Sequence, residues 1–221
     1  MSELYLKLDG EVRPTVIETA IVAGWTGRDK AALEEHMAEL EALGVPRPSS
    51  TPIFYRVAAS LVTIAPVIEA TAASSGEVGA VLLQAHGRLW VGVGSDHTDR
   101  DVETYSVAVS KQMCEKPIAA EFWRYDEVAA HWDQLVLRSR IREDGSEVIY
   151  QEGSLASILP AEELRRLAQP PLEDGTVMFC GTLAAPGGIR PAPKFSYELE
   201  DPVHGESIEG GYLVRSLPLV A

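Results

Sequence analysis

The stretch GEVGAVLLQAHGRLWVGVGSD, from Gly76 to Asp96, contains two apolar runs separated by the dipeptide His86-Gly87. Runs of this kind joined by two turn residues predict a β-hairpin, here with opposed residues whose numbers sum to 173. This register places Glu77 directly opposite Asp96 on one face, with Cβ atoms roughly 5 Å apart. A slip of one residue would separate the two side chains.

Two carboxylates this close do not both ionise in isolation, because like charges repel. A hard divalent cation such as Mg²⁺ or Ca²⁺ removes the conflict, since it prefers oxygen ligands. The alternative is that Glu77 and Asp96 are solvated at strand ends and that Asp96 only shapes a turn. Spacing alone favours this alternative. In the polar segment that follows, Arg100 is expected to pair with Asp99 or Asp101 and to brace the loop.

The rest of the chain is rich in predicted strands. Apolar residues at helical spacing predict one helix within residues 28–44, and a second is predicted within residues 159–169. The elements together predict an α+β fold that is mainly β. The Pro/Ser-rich segment VPRPSSTP is the predicted boundary between a small N-terminal α/β lobe, residues 1–48, and a main domain, residues 49–221. The segments with strand character in the main domain are IFYRVA, GAVLLQ, RLWVGVG, QLVLRSRI, EVIYQEG, TVMFCGTLA, KFSYELED and GYLVRSLP.

Composition excludes several classes of protein. The 221 residues carry a formal net charge of −14, so the chain repels phosphate backbones and nucleic acid is not an expected partner. No apolar stretch approaches the length of a membrane span, and the first ten residues lack the features of a secretory signal. Cys114 and Cys180 form neither a disulfide framework nor a zinc pattern. We therefore expect a cytoplasmic protein that has no membrane partner.

Several single residues are candidates for chemistry. Lys111 lies downstream of the acidic segment, where a lysine can hold a substrate or carry a proton, although a lone lysine is usually solvated. Thr182 ends an apolar strand beside a glycine, where its hydroxyl can meet an anion or simply form a turn. His36 and Glu39 lie three residues apart on the predicted helix and could form a general base with its orienting partner, or a surface pair.

The remaining histidines have different interpretations. His97, beside the predicted carboxylate pair, could be a metal ligand or a donor to one. His86 and His204 are interpreted as turn residues. His131 lies in the aromatic-rich segment FWRYDEVAAHW and is interpreted as a packing residue.

Four segments, in the same order, resemble the fumarylacetoacetate hydrolase superfamily. PIFYR, residues 52–56, is similar to the family's P-x-x-F-x-K, with Arg56 at the lysine. GEVG, residues 76–79, is similar to the metal-binding E-x-E. SDHTDRD, residues 95–101, is similar to N-D-x-S-x-R-D. The last, residues 153–184, ends in FCGTLA and is similar to the helix and TGTP region near the family's C-terminus.

The resemblance implies a mixed β-roll core, a small N-terminal lobe, a homodimer and a site for Mg²⁺ or Mn²⁺, with Ca²⁺ as an alternative. Glu103 stands at the place of a substrate-contacting glutamine. The family's G-x-N-Y segment before its catalytic H-x-x-E is absent, and GWTGRD stands there. The residues carried over are Glu77 and Asp96 as metal ligands, Arg56, Glu103 and Thr182 as substrate-binding residues, and His36, Glu39 and Lys111 as catalytic residues.

One departure from the family pattern concerns Gly79, which stands at the second glutamate of E-x-E. A site with one carboxylate fewer binds a hard divalent ion less tightly. Asp99 or Glu103 could supply the missing oxygen, waters could fill the position, or the metal could be lost. The absent side chain is expected to leave space, so that Gly79→Glu would tighten metal binding.

We expect a metal-assisted enzyme that acts on a small oxo-carboxylic acid. Such an acid can chelate a metal through two oxygens, and the metal stabilises the enolate that forms when a neighbouring bond breaks. Hydrolysis of a C–C bond is favoured, with His36 and Glu39 activating water, while decarboxylation, tautomerisation and dehydration share the enolate and stay open. The alternative is a non-catalytic dimer that binds a small ligand and has lost a metal ligand.

Overall fold

The structure is a computed structural model that describes residues 1–42 and 47–220, without the side chains of His36, Glu39, Leu40 and Ala42. None of the described helices has the length and apolar character needed to cross a membrane. The described helices are α1 (Lys30–Ala42), α2 (Arg100–Glu103), α3 (Val107–Met113), α4 (Tyr125–Val128) and α5 (Ala161–Leu167), with 3₁₀ turns at Ala59–Leu61, Ala129–Gln134 and Leu155–Ser157.

Strands make up most of the described regular structure. They are β1 (Ser2–Leu8), β2 (Glu11–Ile17), β3 (Thr19–Gly24), β4 (Ile53–Val57), β5 (Val62–Thr63), β6 (Val67–Ala70), β7 (Ser74–Ser75), β8 (Val78–Ala85), β9 (Arg88–Ser95), β10 (Thr98–Asp99), β11 (Lys116–Pro117), β12 (Glu121–Arg124), β13 (Val136–Glu143), β14 (Ser146–Ser154), β15 (Thr176–Phe179), β16 (Lys194–Asp201) and β17 (Glu206–Ser216).

Two large mixed sheets form the molecule. The first has eight strands in the order β2-β1-β12-β9-β8-β15-β3-β4, and the second has five in the order β14-β13-β16-β17-β6. The short pairs β10-β7 and β11-β5 lie apart from them. The predicted α+β, mainly β fold with a mixed, curled sheet is confirmed.

The eight-stranded sheet is buried on both faces. Successive residues of a strand point to opposite faces, and along β8 Ala80 and Leu82 join the core shared with the five-stranded sheet. Val81 and Leu83 join a second core on the other face. By this alternation Gly79, and Glu77 just before β8, share the face of the second core.

The second core explains the curl of the sheet. It gathers Ile17 from β2 and Val57 from β4, which are the two edge strands of the sheet, together with Val81 from its centre. Apolar side chains from both edges are thus buried in one cluster, because burial of apolar surface favours bringing them together.

The three described strands within the predicted N-terminal lobe, β1, β2 and β3, lie in the eight-stranded sheet. β1 pairs in parallel with β12, and β3 lies between β15 and β4. β4, which follows the predicted boundary, pairs with β3 in the same sheet. Parallel pairing joins residues far apart in sequence, so local patterns of turns and apolar residues do not reveal it.

Candidate functional site

The central hairpin has the predicted register. Opposed residues of β8 and β9 sum to 173 throughout, from residues 78 and 95 to residues 85 and 88. The turn residues His86 and Gly87 have φ angles of 52° and 69°, the left-handed pair that a two-residue hairpin turn requires. Beyond the strands, the amide of Asp96 donates to the carbonyl of Glu77 at 3.0 Å, so the two residues face each other as predicted.

A lysine lies between the two carboxylates. Lys111 Nζ donates to Asp96 Oδ2 and lies 3.4 Å from Glu77 Oε2. Its side chain is only 8% exposed. Burial disfavours the charged ammonium, but Asp96 and Glu77 outweigh it and raise the pKa of Lys111 above its ordinary value. The carboxylate pair is therefore held together here by a protonated amine.

A second, fully buried lysine approaches Asp96 from the other side. Lys116 Nζ donates to the carbonyls of His97 and Cys114 at 2.6 and 3.0 Å, and it lies 3.3 Å from Asp96 Oδ1. That oxygen accepts no hydrogen bond from the described residues. Burial lowers the pKa of Lys116. The sequence interpretation missed this residue, because lysine is rarely fully buried and no local pattern indicates its burial here.

Glu77 has its own cation. Arg100 Nη1 donates to Glu77 Oε1 at 3.1 Å and to Glu103 Oε2 at 2.8 Å, and Arg100 Nε donates to Ser75 Oγ at 2.7 Å. Burial alone would raise the pKa of Glu77, but Lys111 and Arg100 lower it to about 2. Glu77 is thus a carboxylate at neutral pH.

The expected pairing of Arg100 with Asp99 or Asp101 is wrong. Asp99 instead caps α2, because its Oδ1 accepts from the amide of Val102 at 2.9 Å. Its Oδ2 accepts from the hydroxyl of Thr71. Both oxygens of the Asp99 carboxylate accept hydrogen bonds from backbone and hydroxyl donors, and the Arg100 guanidinium donates to Glu77 instead.

The charged groups at this end of the hairpin balance one another. Three carboxylates form ion pairs with three cations within the described residues. We call this set the hairpin-end cluster; its members are Glu77, Asp96, Glu103, Arg100, Lys111 and Lys116.

His97 lies next to the hairpin-end cluster, but its ring nitrogens are paired with hydroxyl groups outside the cluster. Its Nδ1 lies 2.8 Å from the hydroxyl of Tyr212, and its Nε2 lies 2.8 Å from Ser74 Oγ. Burial and then the charge of Lys116 lower the pKa of His97 to about 3, so the imidazole is neutral. Both ring nitrogens are engaged by hydroxyls, so the residue does not act as a ligand beside Asp96.

Gly79 does not leave the expected space. A Cβ built there would lie 2.4 Å from the carbonyl oxygen of Gly181. Gly181 is itself confined, because its φ is +106° and a Cβ there would lie 1.9 Å from Thr26 Oγ1. The expectation that Gly79→Glu would add a ligand is therefore wrong on steric grounds. Two residues were proposed to supply the missing oxygen. Asp99 instead accepts from the amide of Val102 as the cap of α2, and Glu103 accepts from Arg100.

Thr182 lies beside the start of β8. Its hydroxyl donates to the carbonyl of Val78 at 2.7 Å and accepts from Gln151 Nε2 at 2.8 Å. Gln151 Oε1 in turn accepts from the amide of Val78 at 3.0 Å. The hydroxyl thus connects the loop after β15 to the start of β8, next to Glu77.

On β4, Tyr55 rather than Arg56 faces the cluster. The ring centroid of Tyr55 lies 6.0 Å from Lys111 Nζ, and burial raises the pKa of its hydroxyl. Arg56, the neighbouring residue on an alternating strand, is exposed, and its backbone carbonyl accepts from Gln112. The structure therefore does not bring the Arg56 guanidinium to the other predicted site residues. The sequence interpretation missed Tyr55, because the family pattern P-x-x-F-x-K points to the next residue, Arg56.

A family model described as "Protein of unknown function (DUF2848)" matches residues 23–212. The chain belongs to the DUF2848 family. No curated protein sequence gives a significant match. The family match spans the whole hairpin-end cluster of this DUF2848 chain, from Glu77 just before β8 to Lys116 on β11.

Solved structures share the fold of the DUF2848 chain. A protein of the fumarylacetoacetate isomerase/hydrolase type from Oleispira antarctica has a TM-score of 0.68 at 20% identity, covering 97% of this chain and 100% of that chain. Fumarylpyruvate hydrolase from Pseudomonas aeruginosa, solved with Mn²⁺ and pyruvate, has a TM-score of 0.65 at 16% identity, covering 98% and 97%. A 2-keto-3-deoxy-D-arabinonate dehydratase has a TM-score of 0.63 at 13% identity, covering 95% and 77%. The predicted fumarylacetoacetate hydrolase fold is confirmed.

The side chains of His36 and Glu39 lie outside the described residues. Their helix, α1, starts after Asp29, whose Oδ1 accepts from the amides of Ala31 and Ala32 at 2.9 and 3.1 Å. Their role as a catalytic pair stays a prediction for this DUF2848 chain.

Proposed function

We propose that the protein is a metal-assisted hydrolase or lyase that acts on a small oxo-carboxylic acid at the hairpin-end cluster. The observation that carries the proposal is the ammonium of Lys111 shared by two opposed carboxylates, Glu77 and Asp96. Two proteins of the same fold support the substrate class, since one was solved with Mn²⁺ and pyruvate and another is a dehydratase of a keto acid.

The carboxylates at the cluster fit a divalent cation. Glu77 and Asp96 offer oxygen ligands on one face, and Asp96 Oδ1 is buried and accepts no hydrogen bond within the described part of the chain. Mg²⁺ commonly keeps several waters and needs only one or two carboxylates. When bound, such an ion would act as a Lewis acid toward the oxygens of an oxo acid.

The charge balance of the cluster predicts how this cation binds. Three carboxylates already face three protein cations, so a divalent ion alone would add two uncompensated charges. An anionic oxo acid would offset them. We therefore expect the cation and the acid to bind together more strongly than either does alone.

The residues of the chain have separate roles in this proposal. Lys111, once released from the space between the carboxylates, can hold the substrate carboxylate through its ammonium group or donate a proton. Arg100 and Lys116 are positioning residues, since they orient Glu77 and Asp96.

Hydrolysis of a C–C bond is the reaction we favour, with His36 and Glu39 activating water. Dehydration, decarboxylation and tautomerisation are the alternatives for the same substrate class. Turnover in ¹⁸O-labelled water distinguishes C–C hydrolysis from these alternatives, because hydrolysis places the label in a new carboxylate of the product. Dehydration releases water and leaves the organic product unlabelled at that position.

A second candidate function is a binding protein that works without metal. The buried Lys116 favours it, because this ammonium adds a second positive charge at Asp96. Oxalate, which resembles an oxo acid, should then raise the melting temperature equally with and without Mn²⁺.

Asp96→Asn is expected to abolish the stabilisation that Mn²⁺ and oxalate together provide. An amide retains the shape of the side chain but loses the charge that binds a hard cation. Thermal melting with and without both ligands measures the effect. The matched control is Asp101→Asn, which alters an exposed carboxylate on the nearby α2 and should behave like the wild type. An undiminished shift in Asp96→Asn would contradict the proposed ligand set.

His36→Ala is expected to lower turnover by about 10²- to 10⁴-fold, the usual contribution of a general base. The free energy of unfolding should change by about 0.5 kcal/mol or less, because most described residues of α1 are exposed. Steady-state kinetics and urea denaturation measure the two effects. Glu35→Ala, an exposed neighbour on α1, is the control. Equal activity of the two variants would reject a catalytic role for His36.

A further inference from the structure

Two histidines and an aspartate meet on the molecule away from the hairpin-end cluster. His131 Nε2 lies 2.9 Å and His204 Nδ1 lies 2.7 Å from the same oxygen, Asp201 Oδ2. One ligand atom from each residue lies within 4.8 Å of the others. We propose that His131, Asp201 and His204 form a second metal site, which takes a transition-metal ion with the preferences of Zn²⁺.

The local structure presents these atoms from two separate segments. Asp201 ends β16, and His204 lies in the turn to β17, where the amide of Gly205 donates to the carbonyl of Asp201 at 2.9 Å. His131 comes from the 3₁₀ turn Ala129–Gln134, at a residue with the non-helical angles φ −127° and ψ 26°. Residues 70 positions apart in sequence are thereby directed at one oxygen.

The aspartate is held in a fixed orientation. Asp201 is only 2% exposed, and its second oxygen, Oδ1, accepts from the amides of Val203 and His204 at 2.9 and 3.3 Å. A ligand carboxylate with its other oxygen hydrogen-bonded is the usual arrangement at metal sites, because the outer partner orients the ligand. Oδ2 thus remains directed at the two imidazoles.

The donor set determines which metal fits. Two imidazole nitrogens and a carboxylate suit Zn²⁺ and similar transition metals, whereas Mg²⁺ prefers oxygen alone. In a tetrahedral site the ligand atoms lie roughly 3.3 Å apart, so each nitrogen would retreat from the carboxylate oxygen by roughly 0.5 Å. The His204 side chain is 49% exposed and has room for such a movement.

An open coordination position would face a cavity. A cavity of about 430 Å³ is lined by Asp201 and His204 together with Trp123, Glu127 and Glu206. Three protein ligands and an accessible fourth position are typical of catalytic rather than structural zinc sites. The acidic lining would favour a water or a cationic ligand at that position.

Zinc binding to the full-length Asp96→Asn protein tests the proposal, because this background disables the carboxylate pair of the hairpin-end cluster. Isothermal titration with Zn²⁺ should give one site per chain, and Co²⁺ should give the absorption of a tetrahedral complex. Loss of an outer partner alone weakens metal sites by about 10- to 100-fold, so adding His204→Ala or His131→Ala should weaken Zn²⁺ binding by at least about 100-fold.

The matched control is His86→Asn, which alters another hairpin-turn histidine at a position with φ 52°. It should leave zinc affinity unchanged. The alternative is that the three residues only form a hydrogen-bonded contact between the 3₁₀ turn and the hairpin. That alternative predicts no zinc site, or equal zinc affinity in the His204→Ala, His131→Ala and His86→Asn proteins, and either result would overturn the proposal.

Discussion

Replacing Lys111 by methionine is expected to lower the free energy of unfolding by about 3 kcal/mol, the lower end of the range for breaking a buried ion pair. The substitution removes the ammonium between Glu77 and Asp96 and leaves two opposed carboxylates in a largely buried place. Arg100 and Lys116 remain as partners, which limits the loss. Turnover should fall by about 10²- to 10⁴-fold if Lys111 carries a proton.

The same variant should respond more strongly to a divalent cation than the wild type does. In the wild type, Lys111 and the cation compete for the same two carboxylates, whereas in Lys111→Met the carboxylates need a new positive charge. Urea denaturation with and without Mn²⁺ measures the difference. Lys7→Met, which removes an exposed ion pair with Glu121, is the control and should change neither quantity by much. A Mn²⁺ response of Lys111→Met no larger than that of the wild type would show that the metal does not bind between Glu77 and Asp96.

Gly79→Ala is expected to lower the free energy of unfolding by about 3 kcal/mol, the upper end of the usual cost of overpacking. The new Cβ would lie 2.4 Å from the carbonyl oxygen of Gly181, and backbone cannot move aside as a flexible side chain can. Gly181 is in turn pressed against Thr26. Gly79→Glu should destabilise further, and its Mn²⁺ affinity should not exceed that of the wild type.

Gly27→Ala separates the steric effect from the general effect of replacing a glycine. Among the described residues, a Cβ at Gly27 would meet only Leu33 Cδ1, at an ordinary contact distance of 3.7 Å. Denaturation of the two alanine variants under the same conditions gives the comparison. Equal stability of the two proteins would show that the Gly79–Gly181 contact can relax, and the steric account would then fail.

The hairpin-end site was partly predictable because its first contacts are local. Turn residues set the hairpin register, and the register sets Glu77 opposite Asp96, so a short stretch of sequence determines that pair. Lys111 follows soon after in α3, and its side chain lies beside both carboxylates. The positions of Lys116 and Tyr55 at the site could not be predicted from local sequence. Lys116 lies on β11, which pairs with β5, and Tyr55 lies on β4, which pairs with β3, and both pairings join distant parts of the chain.

The sequence by itself determined most of the longer strands, the central hairpin and its register, since these depend on alternation and turn chemistry within about 20 residues. Tertiary structure alone decided three other features. The first is the position of β3 between β15 and β4. The second is the close approach of the Gly181 carbonyl to Gly79, and the third is the contact of His131 with Asp201. Each of these is a contact between segments far apart in sequence. Such contacts depend on which apolar faces are buried together, and that choice is made by the packing of the whole chain rather than by any local pattern.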